Sequence, residues 1–71
     1  MPNDFPRLRA ELENRILALT GRRLRNLDIS LSPEGVVITG EAQTFYVKQL
    51  AQHGVREVLP EAHLENYIHV A

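Results

Sequence analysis

The stretch NLDISLSPEGVVITGEA, residues 26–42, decides how this chain folds. Leu27, Ile29 and Leu31 alternate with Asn26, Asp28 and Ser30, a period of two that turns successive side chains to opposite faces of a half-buried strand. Ser32-Pro33-Glu34-Gly35 follows. Its proline suits the second position of a type I turn, where φ is already fixed, and its glycine the left-handed position. Directly after it, Val36, Ile38, Gly40 and Ala42 share one face, with Val37, Thr39 and Glu41 on the other. Two alternating runs joined by a tight turn predict a β-hairpin over 26–42.

On either side the period changes to that of a helix. Phe5, Leu8, Leu12, Ile16 and Leu19 recur at spacings of three and four, which predicts a helix over 4–20. Asp4 suits its N-cap, Pro6 its first turn and Gly21 its end. On its outer face Glu11 and Arg15 are spaced for an ion pair. Thr44 is a natural N-cap for a second helix over 44–59. There Val47, Ala51, Gly54, Val55 and Val58 form one stripe, with Leu50 at its edge. Gly54 inside that helix costs about 1 kcal/mol relative to alanine. Its place on the buried stripe predicts a close approach of helix to sheet. Pro60 stops the helix, because its ring clashes with the preceding turn. Leu64, Asn66, Ile68 and Val70 then alternate with His63, Glu65, Tyr67 and His69, a third strand over 63–70 with the first set turned inward.

The order is α-β-β-α-β. It predicts an α+β domain spanning residues 1–71, a three-stranded mixed sheet with two helices packed on one face. The crossover through the second helix makes the second and third strands parallel. Where the first strand lies in the sheet is left open by the pattern.

Composition narrows the function. Of the 71 residues, 44% are hydrophobic and 24% charged, proportions of a globular chain. The absence of cysteine rules out a disulfide framework, a thiolate zinc site and a cysteine nucleophile. No nucleophile elbow, phosphate-cradling glycine loop or acid–histidine–nucleophile set is present, so a non-catalytic protein without a cofactor is expected. A net charge of −1 argues against nucleic acid as partner, as does the lack of a GXXG loop or of an aromatic pair on the sheet. No apolar run approaches the ~18 residues of a membrane span and no secretory signal opens the chain, which reads as cytoplasmic as given. The charge is uneven: residues 1–27 carry six arginines against Asp4, Glu11 and Glu13, and residues 28–71 carry six acids against Lys48 and Arg56. Such asymmetry can orient a molecule on an anionic surface or pair it head-to-tail with another copy, but a solvated basic first helix explains it more simply.

Val36, Ile38, Gly40, Ala42, Thr44 and Ala51, followed by Leu64, Ile68 and Val70, stand in register with the pattern of the BON domain. This bacterial module is named for osmotically induced periplasmic and nodulation proteins. From Leu27 to Val70, about two-thirds of the chain, the sequence resembles that family, and from Val36 to Val70 the spacing needs no gap. It departs at Gly54-Val55-Arg56-Glu57-Val58, which here reads as helix, with Pro60 where the family places a glycine turn. The resemblance implies a non-catalytic attachment module engaging an anionic phospholipid surface or a partner protein, in proteins that are often periplasmic. It transfers no catalytic residue.

Two groups of residues are candidates for such contacts. Phe45 and Tyr46 open the second helix beside Lys48 and Arg56, where aromatic rings and cations together suit a lipid headgroup layer or a protein partner. The simpler expectation is that first-turn geometry folds Phe45 back onto the hairpin or the first helix. Arg22, Arg23 and Arg25 can grip phosphate in bidentate fashion, or simply complement the negative end of the first helix. An alternative role is self-association as a homodimer through the outer sheet face, with Val37, Thr39, Tyr67 and His69 at the contact. His63 and His69 share that face but lie ~20 Å apart along a strand, too far for one metal ion.

Overall fold

The computed structural model describes residues 5–71 and has the α+β architecture in the order expected. Helix α1 spans Phe5–Thr20, and the Asp4 cap lies outside the described residues. Leu12, Ile16 and Thr20 are buried along it, and the Thr20 hydroxyl is satisfied by the Ile16 carbonyl at 2.8 Å. Gly21 leaves the helix at φ +57°, and a short 3₁₀ turn, Gly21–Arg23, leads into the sheet.

Strand β1 (Leu24–Ser32) pairs antiparallel with β2 (Gly35–Ala42), and β3 (Leu64–Val70) runs parallel to β2. The order is β1-β2-β3, so the hairpin's second strand is central and both β1 and β3 are edges. Strand β1 begins two residues before the hairpin predicted from alternation, and the reason is a bulge. Between the pairs Arg25–Glu41 and Asp28–Thr39 the register shifts, setting Asn26 and Leu27 against Gly40 alone. Asn26 takes the left-handed conformation at φ +57°, which asparagine tolerates better than most residues. The extra residue resets the alternation, so that Leu24 and Ile29, of opposite parity in the sequence, both face inward and are buried. Gly40 makes room for it: a Cβ there would stand 3.1 Å from the Arg25 carbonyl oxygen.

Helix α2 (Phe45–Val58) begins where Thr44 Oγ1 accepts the Val47 N–H at 3.2 Å. Its buried stripe of Val47, Ala51, Gly54 and Val55 is the one the spacing predicts. The close approach at Gly54 is to the other helix rather than to the sheet. A Cβ on Gly54 would lie 3.0 Å from Ile16 Cγ1 and 3.1 Å from Ile16 Cα. Helical spacing shows which side of α2 is buried but not which neighbour covers it. Both helices share the inner face of the sheet, enclosing a core of Leu12, Ile16, Leu24, Ile29, Val36, Ile38, Val47, Val55 and Ile68. Arg15 pairs with Glu57 of α2 at 3.3 Å, not with Glu11 as its spacing predicts. The interhelical carboxylate is brought close by packing that a single-helix pattern does not contain.

Candidate functional site

The sheet register brings distant parts of the sequence to one end of the molecule. Leu24 lies opposite Ala42, and Ala42 opposite Val70. The arginines around Leu24 and the start of α2, three residues beyond Ala42, therefore flank the same end of the sheet. The structure sorts these arginines. Arg23 closes α1, its Nε donating to the Thr20 carbonyl at 3.1 Å and its Nη2 to the Leu19 carbonyl at 2.8 Å. That satisfies carbonyls a helix end leaves open and sets a cation at the negative pole of the dipole. Arg22 and Arg25 are exposed and, among the described residues, make no side-chain hydrogen bond or ion pair.

Phe45 does not fold back. It is 62% exposed and Tyr46 61% exposed, in the first turn of α2. Lys48 lies with its Nζ 5.7 Å from the centre of the Phe45 ring, within cation–π range. From there a groove of about 510 Å³ runs along α2, lined by Phe45, Lys48, Gln49, Gln52, His53 and Arg56 of the helix and by Asn66 of β3. Among the described residues no carboxylate lines it. Arg56, at the end remote from Phe45, is partly committed: its guanidinium donates to the Ala62 and Pro60 carbonyls and holds the turn between α2 and β3.

Asn66 belongs to this site although its type and spacing gave it no role. It sits at an inward position of β3, where alternation leads one to expect an apolar residue. Its Nδ2 donates to the Lys48 carbonyl at 3.0 Å, and its Oδ1 accepts the Ile68 N–H at 3.1 Å. A polar residue on the inner parity of a strand was the available signal.

The outer sheet face is a polar grid in three rows. Arg25, Glu41 and His69 form one, Asp28, Thr39 and Tyr67 the next, and Ser30, Val37 and Glu65 the third. The four residues considered for self-association are all on this face, with Val37 half-buried between Ser30 and Glu65. Arg9 of α1 reaches Asp28 at 3.0 Å. The Tyr67 hydroxyl donates to the Glu65 carboxylate, and that bond, reinforced by the carboxylate's charge, raises the phenol above its ordinary pKa. Among the described residues no three histidine, aspartate or glutamate side chains converge as a metal site requires, and no helix is long and apolar enough to cross a membrane.

Compared with known proteins, the chain matches no family model, no curated protein and no solved structure.

Proposed function

We propose that this chain is a non-catalytic attachment module that docks on an anionic phospholipid surface through one end of its sheet. The observation that carries this reading is the pair Phe45 and Tyr46, each more than 60% exposed, with the Lys48 Nζ 5.7 Å from the Phe45 ring. Burying a phenylalanine is worth about 2 kcal/mol, and each lysine or arginine close to an anionic leaflet about 1 kcal/mol. With Arg22, Arg25 and Lys48 the sum is roughly 5 kcal/mol, an affinity between millimolar and micromolar. Docking by one copy is thus reversible, and tandem or multiple copies would strengthen it by avidity. The likeness to BON modules supports the same role.

Co-sedimentation with vesicles containing anionic phospholipid, against purely zwitterionic vesicles, tests it. Binding is expected to anionic vesicles only, to weaken with salt, and to be lost in Phe45→Ala and in Arg22→Glu with Arg25→Glu. Failure to sediment with either vesicle would remove the lipid surface as partner. The self-association reading is less well supported, because the outer face mixes charged and polar groups around Val37 and Tyr67.

A further inference from the structure

We infer, on the premise that the Phe45 end docks on anionic lipid, that the groove along α2 is the headgroup pocket of that end. It admits a phospholipid whose phosphate carries a polyol and turns away one whose phosphate carries an ammonium group. The groove starts at Phe45, the ring that docking buries, and runs along α2 away from it. Along the helix axis Lys48 stands about 4.5 Å beyond Phe45, Gln49 and Gln52 about 6 Å and about 10 Å, and Arg56 about 16 Å. A phosphodiester held by Lys48 at the edge of the bilayer therefore sends its headgroup up beside Gln49 and Gln52. At about 510 Å³ the groove is within the size range of small-molecule sites.

The lining sets the selection. An ammonium has three N–H donors and no acceptor, so it needs an anion beside it. Among the described residues the groove offers no carboxylate, and its cations, Lys48 and Arg56, repel a further positive charge. In a serine headgroup the ammonium sits on the carbon that bears the carboxylate, so neither cation takes the carboxylate without meeting the ammonium. A hydroxyl both donates and accepts, as a glutamine amide does. The Gln52 Oε1 accepts from Asn66 Nδ2 at 3.5 Å, which leaves the Gln52 NH2 group to donate into the groove. Asn66 is itself fixed, to the Lys48 carbonyl at 3.0 Å and the Ile68 N–H at 3.1 Å. Gln49 makes no side-chain bond among the described residues, so its amide is available in both senses. Arg56 commits only Nη1 to the Pro60 and Ala62 carbonyls, and its Nε–Nη2 edge has no partner among the described residues. That edge takes hydroxyl oxygens at the far end of the groove.

Co-sedimentation with phosphatidylcholine vesicles carrying the same fraction of either phosphatidylinositol or phosphatidylserine tests this. Both lipids bear a single net negative charge, so surface attraction alone treats them alike. Binding is expected to be about tenfold tighter to the inositol lipid, the equivalent of one or two net hydrogen bonds. Gln52→Glu keeps an acceptor for Asn66 and adds the carboxylate the groove lacks. With its fold checked by circular dichroism, that variant should bring the two lipids to within about twofold of each other. Glycerophosphoinositol in solution should shift the side-chain amide resonances of Gln49 and Gln52, yet bind far more weakly than the vesicles, since it gives Phe45 nothing to enter. Equal binding to the two vesicles, or a preference that survives Gln52→Glu, would overturn the pocket and leave surface docking standing. Absence of binding to either vesicle would overturn both. A soluble headgroup bound as tightly as the vesicle would make this a site for a free polyol phosphate and overturn the lipid as its source.

Discussion

Gly54→Ala sets two well-characterised effects against each other, and the structure decides the sign. In a helix interior the substitution is normally favourable by about 1 kcal/mol, since glycine has more backbone freedom to lose. Here the new methyl would meet Ile16 Cγ1 at 3.0 Å, Ile16 Cα at 3.1 Å and Ile16 N at 3.3 Å. Two of those atoms are main chain, so no rotamer change relieves the contact and α1 itself must move. Ile16 is fully buried and α1 is tied to α2 by Arg15 and Glu57, which resists that movement. Overpacking of this kind costs about 1–3 kcal/mol. The net expectation is a protein about 1 kcal/mol less stable. Since the chain has no tryptophan, the assay is urea unfolding followed by far-ultraviolet circular dichroism. With a slope of about 1 kcal/mol per molar for a small domain, the midpoint should fall by about 1 M. An unchanged or higher midpoint would refute the claim that the two helices touch at Gly54.

Gly35→Ala should be far more damaging, because its Cβ would lie 2.3 Å from the His63 carbonyl oxygen in a backbone conformation, φ +149°, that alanine rarely adopts. A loss of about 3 kcal/mol or more is expected, read as little or no cooperative urea transition. Tyr67 gives the pH prediction: followed by ultraviolet absorbance in a Tyr46→Phe background, it should ionise above the usual value of about 10, and Glu65→Gln should bring it back down. Because the folded pKa is the higher one, any stability this bond supplies is present below the unfolded pKa and is lost as pH rises through the folded one. Titration of Tyr67 at the ordinary value in the Glu65-containing protein would contradict the hydrogen bond.

Much of the candidate site was visible before the fold, but not its arrangement. Phe45 and Tyr46 are legible in the sequence as aromatic residues opening α2 beside Lys48 and Arg56, and they are exposed. The three arginines near residue 24 were marked as a group, yet one of them caps a helix and two are free. Nothing in their spacing separates these fates, because only the path of the 3₁₀ turn brings Arg23 back over the Leu19 and Thr20 carbonyls. Spacing puts Asn66 on the inward set of β3 but gives it no role, because its partners, the Lys48 carbonyl and the Ile68 N–H, come from an adjacent helix and its own strand.

By itself the sequence determined the element types, their order and, the start of β1 apart, their approximate ends. Periods of two and of three to four, the Pro33–Gly35 turn, the Thr44 cap and the Pro60 stop are all short-range constraints, met within a few residues of where they are written. Only the tertiary structure decided that β2 is central, that Asn26 bulges against Gly40, that Gly54 meets Ile16, and that Arg22, Arg25 and Phe45 share one end. Those outcomes depend on which apolar faces find each other across long stretches of chain. Periodicity says that a face is buried, and close packing against a particular neighbour says by what.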